Sequence, residues 1–174
     1  MDDLAGLVGE RLRAARHQRG LSLASLAAAA GVGKGSLSEI ENGVRNPTLS
    51  SLYALANALG VPLSTLLAEQ VGAEIASPAV AARLLHVEDD GAGTVEVYRM
   101  HFQPGSRHES AGHAPGVTEH LVITEGRVRA GRRRRETTIE TGGSATWASD
   151  VWHSYRALDG RPAAGVLVIR TPRS

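Results

Sequence analysis

Residues 21–59 read LSLASLAAAAGVGKGSLSEIENGVRNPTLSSLYALANAL. Short segments with helical apolar spacing alternate with single glycines or a proline. Ser22 stands where the N-cap of a helix carrying Leu23, Leu26 and Ala27 is expected. Gly31 follows at the point where the chain must turn through positive φ. A third helix is predicted over 34–42, with Leu37, Ile40 and Glu41 in register, and Gly43 stops it. Asn46-Pro47 opens a fourth, carrying Leu49, Leu52, Leu55 and Leu59 inward. Gly60 and Pro62 punctuate again before a short fifth helix with Leu63, Leu66 and Leu67. Upstream, Leu4, Leu7, Val8, Leu12 and Ala15 follow a 3–4 period, one face of a first helix that Gly20 ends.

Two helices joined by a glycine turn, the second beginning with small polar residues, form a helix-turn-helix. The second helix enters the major groove by its N-terminal end, so its early side chains meet base edges while helix ends and loops meet phosphates. Lys34 is expected to donate to guanine or phosphate. Gly35, with no side chain, lets the backbone come close. Ser36 and Ser38 suit base edges or phosphate, and Glu39 suits a cytosine amino group. Asn42 and Arg45, just past the helix, are placed for the DNA backbone. Ser38 reads equally well as a solvent-facing residue. Glu41 would repel phosphate and is read as a structural partner of a backbone amide or of Arg13 or Arg16.

With those residues quoted, the segment resembles the phage-repressor (XRE-type) helix-turn-helix family over about residues 7–68, SLSEIENG followed by NPTLSSL being its specific part. The resemblance implies base-facing roles for Lys34, Gly35 and Glu39, and phosphate-facing roles for Ser36 and Asn42. Leu23 stands where family members often carry a glutamine that touches phosphate.

Composition bounds the rest. The chain has 174 residues, 42% of them hydrophobic, and no cysteine, so it is long enough for two small cores and has no disulfide or thiolate metal site. The N-terminus MDDLAGLVGERLR lacks the basic-then-apolar order of a signal peptide, and no apolar run approaches the roughly 18 residues of a membrane span. A cytoplasmic protein with no membrane partner is expected. Residues 1–70 carry six basic and six acidic residues, without the basic excess usual in nucleic-acid binders.

Beyond about Glu69 the texture changes. Three segments are expected: a helix-turn-helix domain over 1–68, a linker over 69–80, and a β domain over 81–174. RLLHV, TVEVYRMHF, EHLVIT, RVRA, TTIET, SATW, HSYRA and AGVLVIRT are short β-prone runs separated by Gly, Pro and Asp, the pattern of an antiparallel sandwich or barrel. Arg132 to Arg135 follow Gly131 at a hairpin tip and read as a solvated turn, with a DNA or partner contact as the alternative. Trp147, Trp152 and Tyr155 read as barrel core, or else as the lining of an apolar small-molecule pocket. His101 and His108 are expected at the surface or in loops.

Residues 104–126 and 142–157 resemble the two motifs of the cupin family, a jelly-roll barrel with a central pocket. Glu119 stands seven before Gly126, and His153 follows Asp150. The family's metal site takes two histidines at H-x-H spacing, a glutamate and a histidine from the second motif. Here His113 lies six before Glu119 and has Pro115 at +2, and Ala157 replaces a frequent asparagine. His113, Glu119 and His153 still make a two-histidine, one-carboxylate set suited to a divalent transition metal. His120 should point to the opposite face from Glu119.

The expectation is therefore an α + β two-domain protein, a five-helix bundle in front of an antiparallel cupin jelly-roll barrel. Together the halves resemble bacterial transcription regulators in which the barrel senses a small molecule and mediates dimerisation. Implied partners are operator DNA of pseudo-palindromic sequence, a small-molecule effector and a second copy of the chain. The ligand pocket would use His113, Glu119, Trp147, His153 and Tyr155, and no enzymatic role is expected. The rival reading is a mononuclear-metal cupin enzyme, epoxidase- or dioxygenase-like, whose helical domain does not read DNA.

Overall fold

The computed structural model describes residues 2–67 and 69–173, and the chain divides into two compact units, Met1–Ala73 and Glu74–Ser174. Unit one contains α1 (Asp2–Gln18), α2 (Leu23–Ala30), α3 (Lys34–Glu41), α4 (Leu49–Leu59) and α5 (Leu63–Leu66). The caps follow the sequence: Ser22 Oγ accepts from the Ser25 amide at 3.0 Å, and Gly31 closes α2 at φ 64°. Asn46-Pro47 lead into α4 without capping it; Thr48 Oγ1 is the cap, accepting from the Ser51 amide at 3.2 Å. Leu12, Leu26, Leu37, Leu52, Leu55, Leu59 and Leu66 are fully buried and make the core. A β-carbon on Gly9 would meet the carbonyl oxygens of Ile40 and Glu41 at 2.5 and 2.9 Å, so glycine is what lets α1 lie against the end of α3.

Unit two holds β1 (Glu74–Ala76), β2 (Val80–Asp89), β3 (Gly93–Phe102), β4 (Arg107–Ser110), β5 (Thr118–Glu125), β6 (Arg127–Arg132), β7 (Thr137–Glu140), β8 (Ser144–Ala148), β9 (His153–Ala157) and β10 (Ala163–Pro172). One antiparallel sheet runs β1-β2-β3-β10-β5-β8 and the other β4-β9-β6-β7, the two-sheet arrangement of a jelly roll. Alternation decides what points inward. Tyr98, Met100 and Phe102 of β3, Leu121 and Ile123 of β5, and Leu167 and Ile169 of β10 are buried. The register places Glu96, Ile169, Glu119 and Trp147 in one row across β3, β10, β5 and β8.

The unit boundary falls between Ala73 and Glu74, inside the segment read as a linker over 69–80. Glu74–Ala76 pairs with 81–83 of β2 and buries Ile75, and Val80 opens β2. Three residues are too few to show an alternating pattern, which is why the β region looked as though it began at 81. No helix among the described residues is long and apolar enough to cross a membrane.

Candidate functional site

The exposed face of α3 presents Lys34, Gly35 and Glu39, with Ser36 and Ser38 half-buried beside them. Among the described residues outside α3, nothing lies within 4 Å of the position a Gly35 β-carbon would take, so this turn of the helix offers bare backbone to solvent. Arg45 reaches back from the loop, its guanidinium 3.2 Å from Ser36 Oγ and 3.3 Å from Glu39 Oε2. Asn42 ends the helix: its Nδ2 donates to the Ser38 carbonyl at 2.8 Å, and its Oδ1 accepts from Arg13.

Behind this face, α3 is fixed to α1. Arg16 Nε and NH2 donate to the two carboxylate oxygens of Glu41 at 2.7 and 2.8 Å, and both residues are buried. Arg16 also holds the Leu21 carbonyl at 3.0 Å, and Arg13 the Glu41 carbonyl at 3.1 Å. Glu41 therefore orients the helix from inside, as its sign relative to phosphate suggested.

In the barrel, His113, Glu119 and His153 come together, each offering a donor atom within 4.8 Å of the others. Glu119 and His153 stand on β5 and β9, and His113 comes from the loop between β4 and β5. That loop is held by the His113 amide donating to the Ser149 carbonyl at 2.8 Å. It is also pressed close at Gly112, where a β-carbon would meet the Asp150 carbonyl oxygen at 2.4 Å. Glu119 Oε1 lies 2.8 Å from His113 Nε2 and 3.1 Å from His153 Nε2. Its other oxygen accepts from the Tyr155 hydroxyl.

His153 Nδ1 lies 2.9 Å from the Val151 carbonyl and donates to it, which fixes Nε2 as the atom facing the cluster. The rings of His113 and His153 are 5.0 Å apart, and Tyr155 packs edge-on to His153 at 5.8 Å. Trp147 packs 5.9 Å from Tyr155, and its buried Nε1 has no hydrogen-bond acceptor among the described residues.

Electrostatics follow from this packing. Burial pushes the Glu119 carboxyl up, but the hydrogen bonds and positive charge of His113 and His153 outweigh it and hold the group well below the usual carboxylate range. Burial pulls the His153 imidazole down, and Glu119 with the Val151 carbonyl more than reverses it, so its pKa is raised.

The donor set fits a divalent transition metal. Two ligands at about 2.1 Å from one ion, at right to tetrahedral angles, stand about 3.0–3.4 Å apart. The carboxylate–imidazole separations of 2.8 and 3.1 Å are close to that spacing.

The curated regulator SutR of Escherichia coli K12, an HTH-type transcriptional regulator, is 32% identical over 178 residues, covering 100% of both chains. This chain belongs to the same family of helix-turn-helix transcriptional regulators. The HTH_3 helix-turn-helix family matches residues 12–66. The immunity repressor of Bacillus phage phi105 is 40% identical over 63 residues, 36% of this chain and 44% of the repressor. Among solved structures, an HTH_3-family transcriptional regulator from Vibrio cholerae superposes with a TM-score of 0.86 at 25% identity, covering 99% of this chain and 100% of that one. The cupin domain of an XRE-family regulator from Enterobacter cloacae matches at TM-score 0.50 and 26% identity, over 55% of this chain and 99% of that one. The regulator thus joins an XRE-type helix-turn-helix to a cupin-like barrel.

Within the regulator, some residues stand apart from where the sequence suggested. His108, expected in a loop or at the surface, is buried on β4 with its ring 6.0 Å from Tyr155. Burial and then the charge of His153 lower its pKa to about 4. Once 107–110 is extended, alternation accounts for it: Arg107 and Glu109 face out, and the residue between them faces in. Trp152, read as core or pocket lining, is 52% exposed because it lies in the loop before β9. His120 points away from Glu119 and bonds Thr146 Oγ1 across to β8 at 2.6 Å.

Proposed function

We propose that this transcriptional regulator binds operator DNA sequence-specifically through α3, as a homodimer in the cytoplasm, under the control of a small molecule taken up in the barrel. The observation that carries the DNA reading is the exposed, slim face Lys34-Gly35-Ser36-Ser38-Glu39, with Arg45 and Asn42 at its end. The sensing half of the reading rests on the buried cluster His113, Glu119 and His153, with Trp147 and Tyr155 beside it. Such a trio would hold a divalent transition metal with coordination positions left for an effector's oxygen or nitrogen atoms. The Trp147 N–H, without an acceptor among the described residues, supports an acceptor-bearing ligand.

Dimerisation draws support from the outer face of the large sheet, where Val95, Val97, Val122, Val166 and Val168 stand half-buried side by side. A face of this kind is suited to a partner surface. V97E/V168E should turn a dimer into a monomer in light scattering.

Mobility shift on the gene's own promoter at two salt concentrations tests the DNA-binding reading. A retained preference for promoter over random duplex at both concentrations is expected, and no preference at low salt would sink it. The cluster also suits a mononuclear-metal enzyme. Stoichiometric iron, activity lost on His153→Ala and Glu119→Ala, and no DNA binding would favour that reading.

A further inference from the structure

The barrel carries a basic surface that its metal-type cluster does not use. On the outer face of β4-β9-β6-β7, Arg107, Arg156 and Arg129 lie in one cross-strand row. The β6–β7 hairpin continues the charge through Arg132, Arg133, Arg134 and Arg135. Most carboxylates of this face are already engaged. Glu136 and Glu109 lie 2.8 and 3.4 Å from Arg107, and Glu140 lies 3.4 Å from Arg127. Among the described residues, Arg156 and the four hairpin arginines have no side-chain hydrogen bond or ion pair, and Arg129 shares only the charge of the already bonded Glu136. Elsewhere on the barrel, Arg170 and Arg173 sit on Asp90 and Asp89 at 2.7 and 2.6 Å. Clustered, unneutralised guanidinium groups repel one another, so their concentration on one face calls for an anion.

We infer that this face is a second contact for the phosphate backbone of duplex DNA, outside the helix-turn-helix. The inference rests on the DNA-binding reading above. Extent argues for a polyanion: Arg107 and Arg129 lie on either side of Arg156, two strand spacings or about 10 Å apart across the sheet, more than one phosphate or carboxylate spans. At the tip, Arg132, Arg133 and Arg135 line a cleft of about 420 Å³ with Val151 and the exposed Trp152. Arginine guanidinium groups suit the phosphate oxygens of a duplex backbone, and Trp152 leaves apolar surface beside them for the sugars. Duplex DNA is the polyanion a helix-turn-helix chain already meets. The charge is also complementary in place: residues 1–70 balance six basic against six acidic residues, whereas the arginine excess gathers on this sheet.

The test is equilibrium binding of the full chain to a fluorescein-labelled 40-base-pair duplex of random sequence and to its own promoter fragment, across 50–200 mM KCl. Two variants are compared. R133Q/R134N/R135Q removes the tip, with asparagine chosen because Arg134 has φ 68° and asparagine tolerates that region. R129Q/R156Q removes the sheet pair independently, should the tip variant fold poorly. Each phosphate contact adds about 0.9 to the slope of log affinity against log salt. The tip variant should lose about 2.7 of slope and the sheet variant about 1.8. Between 50 and 200 mM the wild type should then lose affinity about 40-fold more than the tip variant does. Slopes equal to wild type in both variants, while K34A weakens promoter binding, would overturn this inference and leave the helix-turn-helix reading standing. A wild-type chain that binds neither duplex overturns both.

Discussion

Glu41→Leu is the substitution whose outcome follows most directly from the geometry. It strands Arg16, which is only 8% exposed and has Glu41 as its carboxylate partner at 2.7 and 2.8 Å. Removing one partner of a buried pair leaves an uncompensated charge and costs about 3–5 kcal/mol. In a domain the size of the 73-residue helical unit, each kcal/mol moves the midpoint by about 4–8 °C. The helical transition should therefore fall by at least about 12 °C. Among the described residues all five helices belong to that unit, so circular dichroism at 222 nm during heating reads it selectively. Arg16→Met combined with Glu41→Leu removes both charges and should recover most of the loss, since an apolar pair of similar volume is often neutral or better. A single variant within about 1 kcal/mol of wild type, or a double variant no better than the single, would refute this account of how α3 is held.

Four further outcomes are expected. Gly9→Ala should destabilise the helical unit by about 1–3 kcal/mol, because its methyl would stand 2.5 Å from the Ile40 carbonyl oxygen. Gly35→Ala should leave stability equal or higher yet weaken promoter binding, and urea melts beside mobility shifts separate the two. Burial pulls the folded His108 imidazole down to about 4, against about 6.5 for an exposed imidazole, so the unfolded chain binds the extra proton first and acid lowers stability between those values. At about 1.4 kcal/mol per unit the ceiling is roughly 3 kcal/mol, read as urea midpoints of chelator-treated protein from pH 6.5 to 4.5, with His108→Gln flattening the slope. Metal binding to the barrel should release protons and weaken as pH falls, because the raised pKa of His153 makes its proton the one to displace. Calorimetry in two buffers of different ionisation enthalpy checks it, and Glu119→Gln should abolish the heat.

The helical half was legible because its punctuation is stereochemical. Gly20, Gly31, Gly43 and Gly60 have φ of 64°, 64°, 69° and 61°, a region that other residues enter at a cost, so each glycine announced a helix end before any packing was known. The Arg16–Glu41 pair was half legible: the sign of Glu41 excluded phosphate, but nothing in the spacing chose Arg16 over Arg13. In the barrel, strand alternation was readable for Glu119 and its neighbours. His113 was harder, because it enters from a loop whose path is set by the Gly112 contact with Asp150, a non-local fact. His108 was missed because its strand was not read as one: the four residues Arg107–Ser110 carry an alternation that shows only once they are known to be extended.

The charge of the helical unit bears on how the protein must bind. Of its basic side chains, Arg16 and Arg13 are taken by Glu41 and Asn42, Arg45 by Glu39 and Ser36, and Arg19 by the Gly60 carbonyl. Arg11 and Lys34 are the arginine and lysine left without a partner among the described residues. Two phosphate contacts give a salt slope of only about 1.8, a weak electrostatic hold for a single reading head. Releasing Arg45 from Glu39 on binding would add one more contact, and would also leave Glu39 free to accept from a base. Even then a lone helical unit gathers about three contacts, short of the 6–10 at which salt changes affinity by orders of magnitude. The shortfall has to be met by a second copy or by charge placed elsewhere on the chain. With two copies paired through the β unit, as proposed above, either route would make DNA occupancy depend on that unit, and that dependence would give an effector in the barrel something to control.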